Sequence, residues 1–400
     1  MAPDTLRDLS PSSFNPRVVS IGPLHRKDEN VQAFEGHKIS HLVNLMSRLN
    51  STKEEILESC MQKVYDSMEQ IRACYVWTKT YGDHEIAEMM VMDACFILEF
   101  VNQISVYNNK SYRGNMLPEQ TIIYDLVLLE NQLPFFILNE IFQCTILNYD
   151  PQVKSLIEFI RPLLNLLNLF KTDIEIHNIP IDTTHHILSL LHTCYIPRVF
   201  TPSDILSSTI HSAINLDRAG VNFKPNKDPT WLMGMDVTSY ELPCFFGFWS
   251  KPTLKMPVLD VHHFTELVLR NLIAYEQSFE SNNYITSYAI AMDRLVNTQE
   301  DVAKLIDSKV LVNYMGSNEE AANMINSICK EIAGVDFFYQ KQWTTLNRYC
   351  DGYWPKNIAR MRRTYFSSPW NMIALLAGII LFALTVVQTI FTIKSAQNKM

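Results

Sequence analysis

Apolar residues recur at intervals of three and four along most of this chain, the spacing that gathers them on one face of a helix. Val31, Phe34, Lys38, His41, Leu42, Leu45 and Leu49 trace such a stripe. A second helix is predicted from about Thr52 to Lys79, behind the cap-like Ser51-Thr52 and the first-turn acids Glu54 and Glu55. Glu85 to Ile104 and Gln120 to Phe142 are apolar nearly all round. Charges interrupt both too often for a membrane span, so they predict central helices of a folded core, the second bent or split at Pro134. The helical pattern continues over 153–170 and 183–194, and Thr201-Pro202-Ser203-Asp204 caps a further helix.

Between Gly220 and His262 five prolines punctuate short aromatic and β-branched runs, including Tyr240-Glu-Leu, which predicts a small β element or ordered loop. Helices resume over 264–279, 284–296, 298–307 and 318–332, the last behind Gly316-Ser317, and a long one is predicted from Phe337 onward. At the other end, residues 1–16 are rich in Pro and Ser and read as a loose leader. Arg17 to His25 reads as a short β-like run stopped at Gly22-Pro23.

One stretch carries no polar face of this kind. Asn371 to Ile393 has no charge and thirteen Leu, Ile, Val or Phe side chains. Each of these contributes roughly −0.3 to −0.6 kcal/mol on insertion, and a rise of ~1.5 Å per residue lets the stretch cross a ~30 Å hydrocarbon layer. It predicts one transmembrane helix, residues 371–393, with a short tail at 394–400, and hence a tail-anchored, single-pass protein. Lys356, Arg360, Arg362 and Arg363 precede it and only Lys394 and Lys399 follow, a bias that places the N-terminal body in the cytosol, at the plasma membrane. Tyr353, Trp354, Tyr365, Phe366 and Trp370 give residues 353–370 the aromatics of an interfacial belt. Ala374, Gly378, Thr385, Gln388 and Thr392 share one face of the span. Through it the helix could pair with a second copy or a membrane partner, unless the threonines simply bond back to their own turns.

With 400 residues, 47% apolar content, 17 methionines and 11 glycines, the chain favours a mainly α architecture with ample core. The formal charge of −8, and the absence of a basic stripe outside Lys356 to Arg363, argue against nucleic acid as a partner. The first sixteen residues lack the basic start and apolar centre of a secretory signal. Eight cysteines, Cys60, Cys74, Cys95, Cys144, Cys194, Cys244, Cys329 and Cys350, are scattered without a Cys-x-x-Cys pair, the pattern of reduced thiols in a cytosolic body. Asn50-Ser51-Thr52 and Asn109-Lys110-Ser111 match the glycosylation acceptor pattern and would stay unmodified there.

The candidate chemistry lies in polar groups embedded in apolar helices: Asp93, Glu99, Asp125, Glu130, Asn131, Gln132, Arg270, Asn271, Glu276 and Gln277. Burying an unpaired carboxylate costs several kcal/mol, so each must meet a cation, an amide or a backbone donor. They could form a hydrogen-bonded network that sets helix register, with Arg270 neutralising an acid. They could instead supply a hydrolase-like pair from Asp93, Glu130 and Glu276, a raised-pKa Glu serving as general acid and an Asp as base. The two differ in exposure, because an enzyme needs these acids to face an open pocket and a scaffold buries them fully paired. No nucleophile motif accompanies the acids, which favours the network. His37 and His41, one turn apart, and the pairs His185-His186 and His262-His263 lack a His-Glu-x-x-His or cysteine partner, so no metal site is assigned. No phosphate loop, nucleophile elbow or kinase signature calls for a cofactor.

Several stretches, taken together, resemble the plant family catalogued as domain of unknown function 247. They are Val18-Val-Ser-Ile-Gly-Pro-Leu-His25, Phe34-Glu-Gly-His-Lys38, Met89-Met-Val-Met-Asp-Ala-Cys-Phe-Ile-Leu-Glu99 and Asp125-Leu-Val-Leu-Leu-Glu-Asn-Gln-Leu-Pro-Phe-Phe136. Further on come Phe264 to Gln277, Ile285 to Asp293, Asn297 to Asp301 and Tyr365 to Trp370. The chain departs from the family pattern at His25-Arg26-Lys27, Phe34-Glu35 and Ala94. The resemblance implies a plant membrane protein with one C-terminal span and a helical domain over residues 17–352. It implies no settled biochemical activity, although some grass members are implicated as pollen-side determinants of self-incompatibility. The resulting expectation is a membrane-anchored recognition, signalling or scaffold protein that works through protein contacts. The alternatives are a membrane-tethered hydrolase and a cell-surface recognition protein of the self-incompatibility type.

Overall fold

The computed structural model describes residues 1–49, 52–109, 117–147, 153–176, 179–197, 211–227, 230–238, 252–278, 282–330, 332, 336–352 and 369–397. The helix start expected at Ser203, Tyr240-Glu-Leu and the basic and aromatic residues from Tyr353 to Phe366 lie outside the described residues.

Helix α6 (Asp83–Asn109) forms the centre. Nearly every side chain from Ile86 to Val101 is buried, because α3 (Glu35–Ser47), α4 (Lys53–Asp66), α8 (Phe135–Phe142) and α9 (Leu156–Leu167) pack around it. By length and hydropathy α6 could cross a bilayer, yet protein covers it, as its interrupting Asp93 and Glu99 predict.

The long apolar run 120–142 is indeed divided at its proline. Helix α7 (Leu117–Asp125) ends, residues 126–134 turn irregularly, and Pro134 stands as N-cap of α8, where its missing N–H costs nothing. A π-helical turn, Gln143–Leu147, extends α8. The single helix expected over 52–79 is two, α4 and α5 (Met68–Cys74), parted at Ser67, and Thr52 caps without a side-chain bond.

The later helices follow the predicted order except that α11 answers to no predicted helix and the long helix expected from Phe337 is an 11-residue one. They are α10 (Ile187–Tyr195), α11 (Ala213–Ala219), α12 (Thr265–Ser278), α13 (Tyr284–Leu295), α14 (Gln299–Asp307), α15 (Asn318–Ile328) and α16 (Gln340–Cys350). Ser317 caps α15 by accepting the Glu320 N–H, and Thr298 with Asp301 forms a capping box on α14. The proline-punctuated segment contains β1 (Asn222–Pro225), β2 (Asp236–Thr238), β3 (Thr253–Met256) and β4 (Leu259–Val261). Strand β3 lies between parallel β1 and antiparallel β2, with Leu254 opposite both Phe223 and Val237. Strand β4 pairs in parallel with β5 (Leu311–Asn313), three residues too short to stand out in the sequence.

Residues 1–16 are not a loose leader. They form α1 (Asp4–Leu9) and a 3₁₀ turn at Pro11–Ser13, and Ala2, Leu6 and Phe14 bury against Ala274 of α12. The Pro and Ser content concealed three well-spaced apolar anchors. After them Arg17 to His25 is neither helix nor strand, with bends at 17–18 and 22–25 on either side of Val19 to Ile21, and a one-turn α2 (Glu29–Gln32) follows.

The last element, α17 (Pro369–Gln397), is an unbroken helix of 29 residues. Its described side chains are exposed on every side, among them Ile379 (57%), Phe382 (73%) and Phe391 (69%). Of the face expected to make contacts, Ala374 and Gly378 lie open, while the Thr385 hydroxyl donates to the Leu381 carbonyl of its own helix at 2.8 Å. The side chain of Thr392 lies outside the described residues.

Candidate functional site

An extended segment buried against helices needs acceptors for its N–H groups, and the core helices supply them from side chains. The Asp125 carboxylate at the end of α7 accepts from Arg17, Val18 and Val19 at 2.9, 2.7 and 2.9 Å. Asn131 accepts the Ile21 N–H at 2.6 Å and donates to the carbonyls of Val19 and Asp125. Asp93 of α6 accepts the Gly22 N–H at 2.8 Å and the Lys38 ammonium at 2.7 Å, while Lys38 also donates to the Ser20 carbonyl at 2.5 Å. Two carboxylates and an amide thus do for residues 17–22 what a neighbouring strand would do. Gly22 turns the segment at φ +72°, where an added Cβ would meet the Tyr75 hydroxyl at 3.0 Å and the Gln132 carbonyl at 3.1 Å.

The first residues are held in the same way. Glu130 accepts the Ala2 N–H at 3.0 Å and pairs with the Arg7 guanidinium. Asn271 of α12 donates to the Ser13 carbonyl at 2.7 Å and accepts the Leu129 N–H at 2.8 Å. Five of the ten embedded polar residues therefore secure the N-terminal 22 residues to the core.

The others serve nearby joints. Glu276 accepts from Ile285, from the Thr286 N–H and hydroxyl, and bonds His192 Nε2 at 3.0 Å, which ties α12 to α13 and α10. Gln132 links the 126–128 carbonyls to the Leu188 N–H at the start of α10. Glu99 pairs with Arg48 at 2.7 Å. Arg270 does neutralise an acid, but it is Glu266 on its own helix, at 2.8 Å. Gln277 is half-buried at the end of α12 and joins none of these bonds.

Burial pushes the Asp93 carboxyl up, against Lys38 and Arg26, and pushes Asp125 up against the N–H groups it accepts. A general acid needs such a shift, but both groups are essentially inaccessible, at 0% and 1% exposure. Lys38 was placed by its spacing on the apolar stripe of α3. Such a position for a lysine is the one sequence signal that a buried acid, here Asp93, awaited it.

Beside the strap lies a cleft of about 710 Å³. Leu24, Val76, Leu133, Pro134 and Phe136 give it apolar walls, and Glu130, Cys74, His185 and His186 supply polar points. That volume suits a small molecule or a few side chains of a partner. The groups in it are poorly placed for bond cleavage. Glu130 is occupied by Arg7 and the Ala2 N–H, and burial pushes the Cys74 thiol up, which keeps it protonated. His186 is held down to about 3, chiefly by burial and then by the neighbouring His185. Its neutral Nδ1 accepts the Ser189 N–H at 3.1 Å as the N-cap of α10. Among the described residues no three His, Cys, Asp or Glu side chains converge as metal ligands.

No solved structure matches this chain. Two Arabidopsis thaliana proteins align along almost all of it. The UPF0481 protein At3g47200 is 27% identical over 99% of this chain and 86% of its own length. The UPF0481 protein At3g02645 is 23% identical over 96% of this chain and 88% of its own. Residues 1–384 also match the profile of DUF247, described as plant protein of unknown function, so the chain belongs to the DUF247 family.

Proposed function

We propose that this protein is a membrane-tethered recognition scaffold that works through protein contacts from a rigid helical body. The observation that carries the choice of scaffold over hydrolase is the pairing of the three acids offered as catalytic. Asp93 and Glu276 are enclosed and bonded, and Glu130, at the cleft wall, is taken by the N-terminal segment. An enclosed acid already bonded to donors of its own chain is poorly placed to reach a substrate proton.

The tether is α17. An apolar helix exposed all round demands either protein or lipid, and its uncharged stretch over 371–393 suits lipid. A cytosolic body follows from the basic flank.

Full-length protein expressed in plant cells tests both parts. It is expected in the membrane pellet after alkaline extraction, and the double variant Ile380→Arg/Leu384→Arg, costing roughly 5–7 kcal/mol of insertion, is expected in the supernatant. Affinity purification from those membranes should recover a protein partner, while Asp93→Asn and Glu276→Gln should lower the melting temperature. A hydrolytic activity abolished by Glu276→Gln at unchanged melting temperature would replace the scaffold with an enzyme. Sugar on Asn109 would reverse the orientation.

A further inference from the structure

Helices α4 and α8 face each other through a ladder of side chains one turn apart. Lys63 on α4 pairs with Glu140 on α8 at 2.9 Å. One turn back on α4 and one turn forward past Glu140, Ser59 and Cys60 meet Cys144 in the π-helical turn. The Ser59 hydroxyl lies 3.8 Å from the Cys144 sulfur, and Cys60, the next residue on α4, is near enough for the two thiols to perturb each other's ionisation. Cys60 is fully buried and Cys144 only partly, so one sulfur of the pair meets solvent and the other stands behind it.

The surroundings favour a thiolate at the outer position. Cys60, and then Ser59 with the Lys63 ammonium, hold Cys144 below an ordinary thiol against the opposing effects of burial and Glu140, while Cys60 is pushed up and keeps its proton. Exposed Cys74 provides an internal contrast, because burial raises it and no cation or thiol lowers it. A π-helical turn at this position also matches the frequent use of such turns at reactive sites.

We propose that Cys144 is a hydroperoxide-reactive cysteine and Cys60 its resolving partner. The Cys144 thiolate attacks the terminal peroxide oxygen. An S–O bond forms, the O–O bond breaks, and the leaving alkoxide or hydroxide takes a proton from water, giving sulfenic acid. The Cys60 sulfur then attacks the sulfenic sulfur, its proton leaves with the departing hydroxide as water, and a disulfide joins α4 to the end of α8. Two thiols lose two electrons and one peroxide gains them. Because Asn139 and Glu140 of α8 line the cleft, the new bond would pin the helix on which one cleft wall is built.

Purified full-length protein in detergent, treated with one equivalent of hydrogen peroxide and mapped by mass spectrometry, is expected to show a Cys60–Cys144 disulfide. With dimedone present, Cys60→Ser should carry the adduct on Cys144, and Cys144→Ser should give neither product. On the untreated wild-type chain, iodoacetamide at pH 6.5 should label Cys144 about tenfold faster than Cys74. The wild-type measurements stand whether or not the variants fold. Oxidation beginning at Cys74, a Cys144 disulfide to any other cysteine, or equal labelling of Cys74 and Cys144 overturns the proposal.

Discussion

Three backbone N–H groups converge on the Asp125 carboxylate, and removing that acceptor leaves all three unpaired, that of Val19 fully buried and those of Arg17 and Val18 partly. Asp125→Ala is therefore expected to destabilise by about 2 kcal/mol, read as a lower urea midpoint, with faster amide exchange at Val18 and Val19. His186 yields a prediction in pH. Its folded pKa of about 3 lies below the ordinary 6.5, so between those values the unfolded chain binds the extra proton. The stabilisation is complete above pH 6.5 and is lost as pH falls toward 3. His186 is only half-buried, so the expected loss between pH 7 and pH 5 is on the order of 1 kcal/mol. His186→Asn keeps a cap acceptor without the titration, and its stability should vary less over that interval by about that amount. Equal slopes for the two proteins would sink the assignment.

Helices α14 and α15 were legible because each combines a 3.6-residue apolar stripe with a recognisable start, Thr298 with Asp301 and Ser317, and the local signal agrees with the packing. The segment Arg17 to His25 misled for a physical reason. Its alternation fits a strand, but strand identity depends on a partner, and side chains of α6, α7 and the 126–134 turn took the partner's place. Gly22 is the point where this substitution is tightest. Gly22→Ala combines a left-handed backbone with contacts at 3.0 and 3.1 Å, and is expected to cost roughly 1–3 kcal/mol, seen as a drop in melting temperature. The division of 52–79 at Ser67 had no Pro or Gly to announce it, and only the packing of α4 against α6 and α8 places it.

The molecule as a whole depends on its first 25 residues more than their composition suggests. Deleting them strips Asp125 and Glu130 of their donors, leaves Asp93 without the Gly22 N–H though still paired with Lys38, and uncovers Ala274. Each stranded buried charge costs several kcal/mol, a sum comparable with the ~5–15 kcal/mol that holds a domain folded. The deletion is expected to give aggregated protein, or protein that loses near-ultraviolet circular dichroism. A soluble, cooperatively melting product would show that the strap is dispensable. The same enclosure explains why ten polar residues visible in the sequence could be identified as a set but not sorted by role. Whether Asp125 or Glu130 faces a cleft or a backbone N–H depends on where residues more than a hundred positions away come to lie.

From the order of residues alone came the helical class, most helix positions, the β character near 220–262, the demand that each embedded acid find a partner, and the apolar C-terminal helix. All of these are set by solvent preference and local period, which a linear pattern records. Only the tertiary structure decided that Asp93, Asp125 and Glu130 hold an N-terminal strap, that Lys38 pairs with Asp93, that the proposed catalytic trio is scattered among separate joints, and that Cys60 lies beside Cys144. Those outcomes are contacts between distant segments, and no local period encodes which donor a buried acceptor will meet.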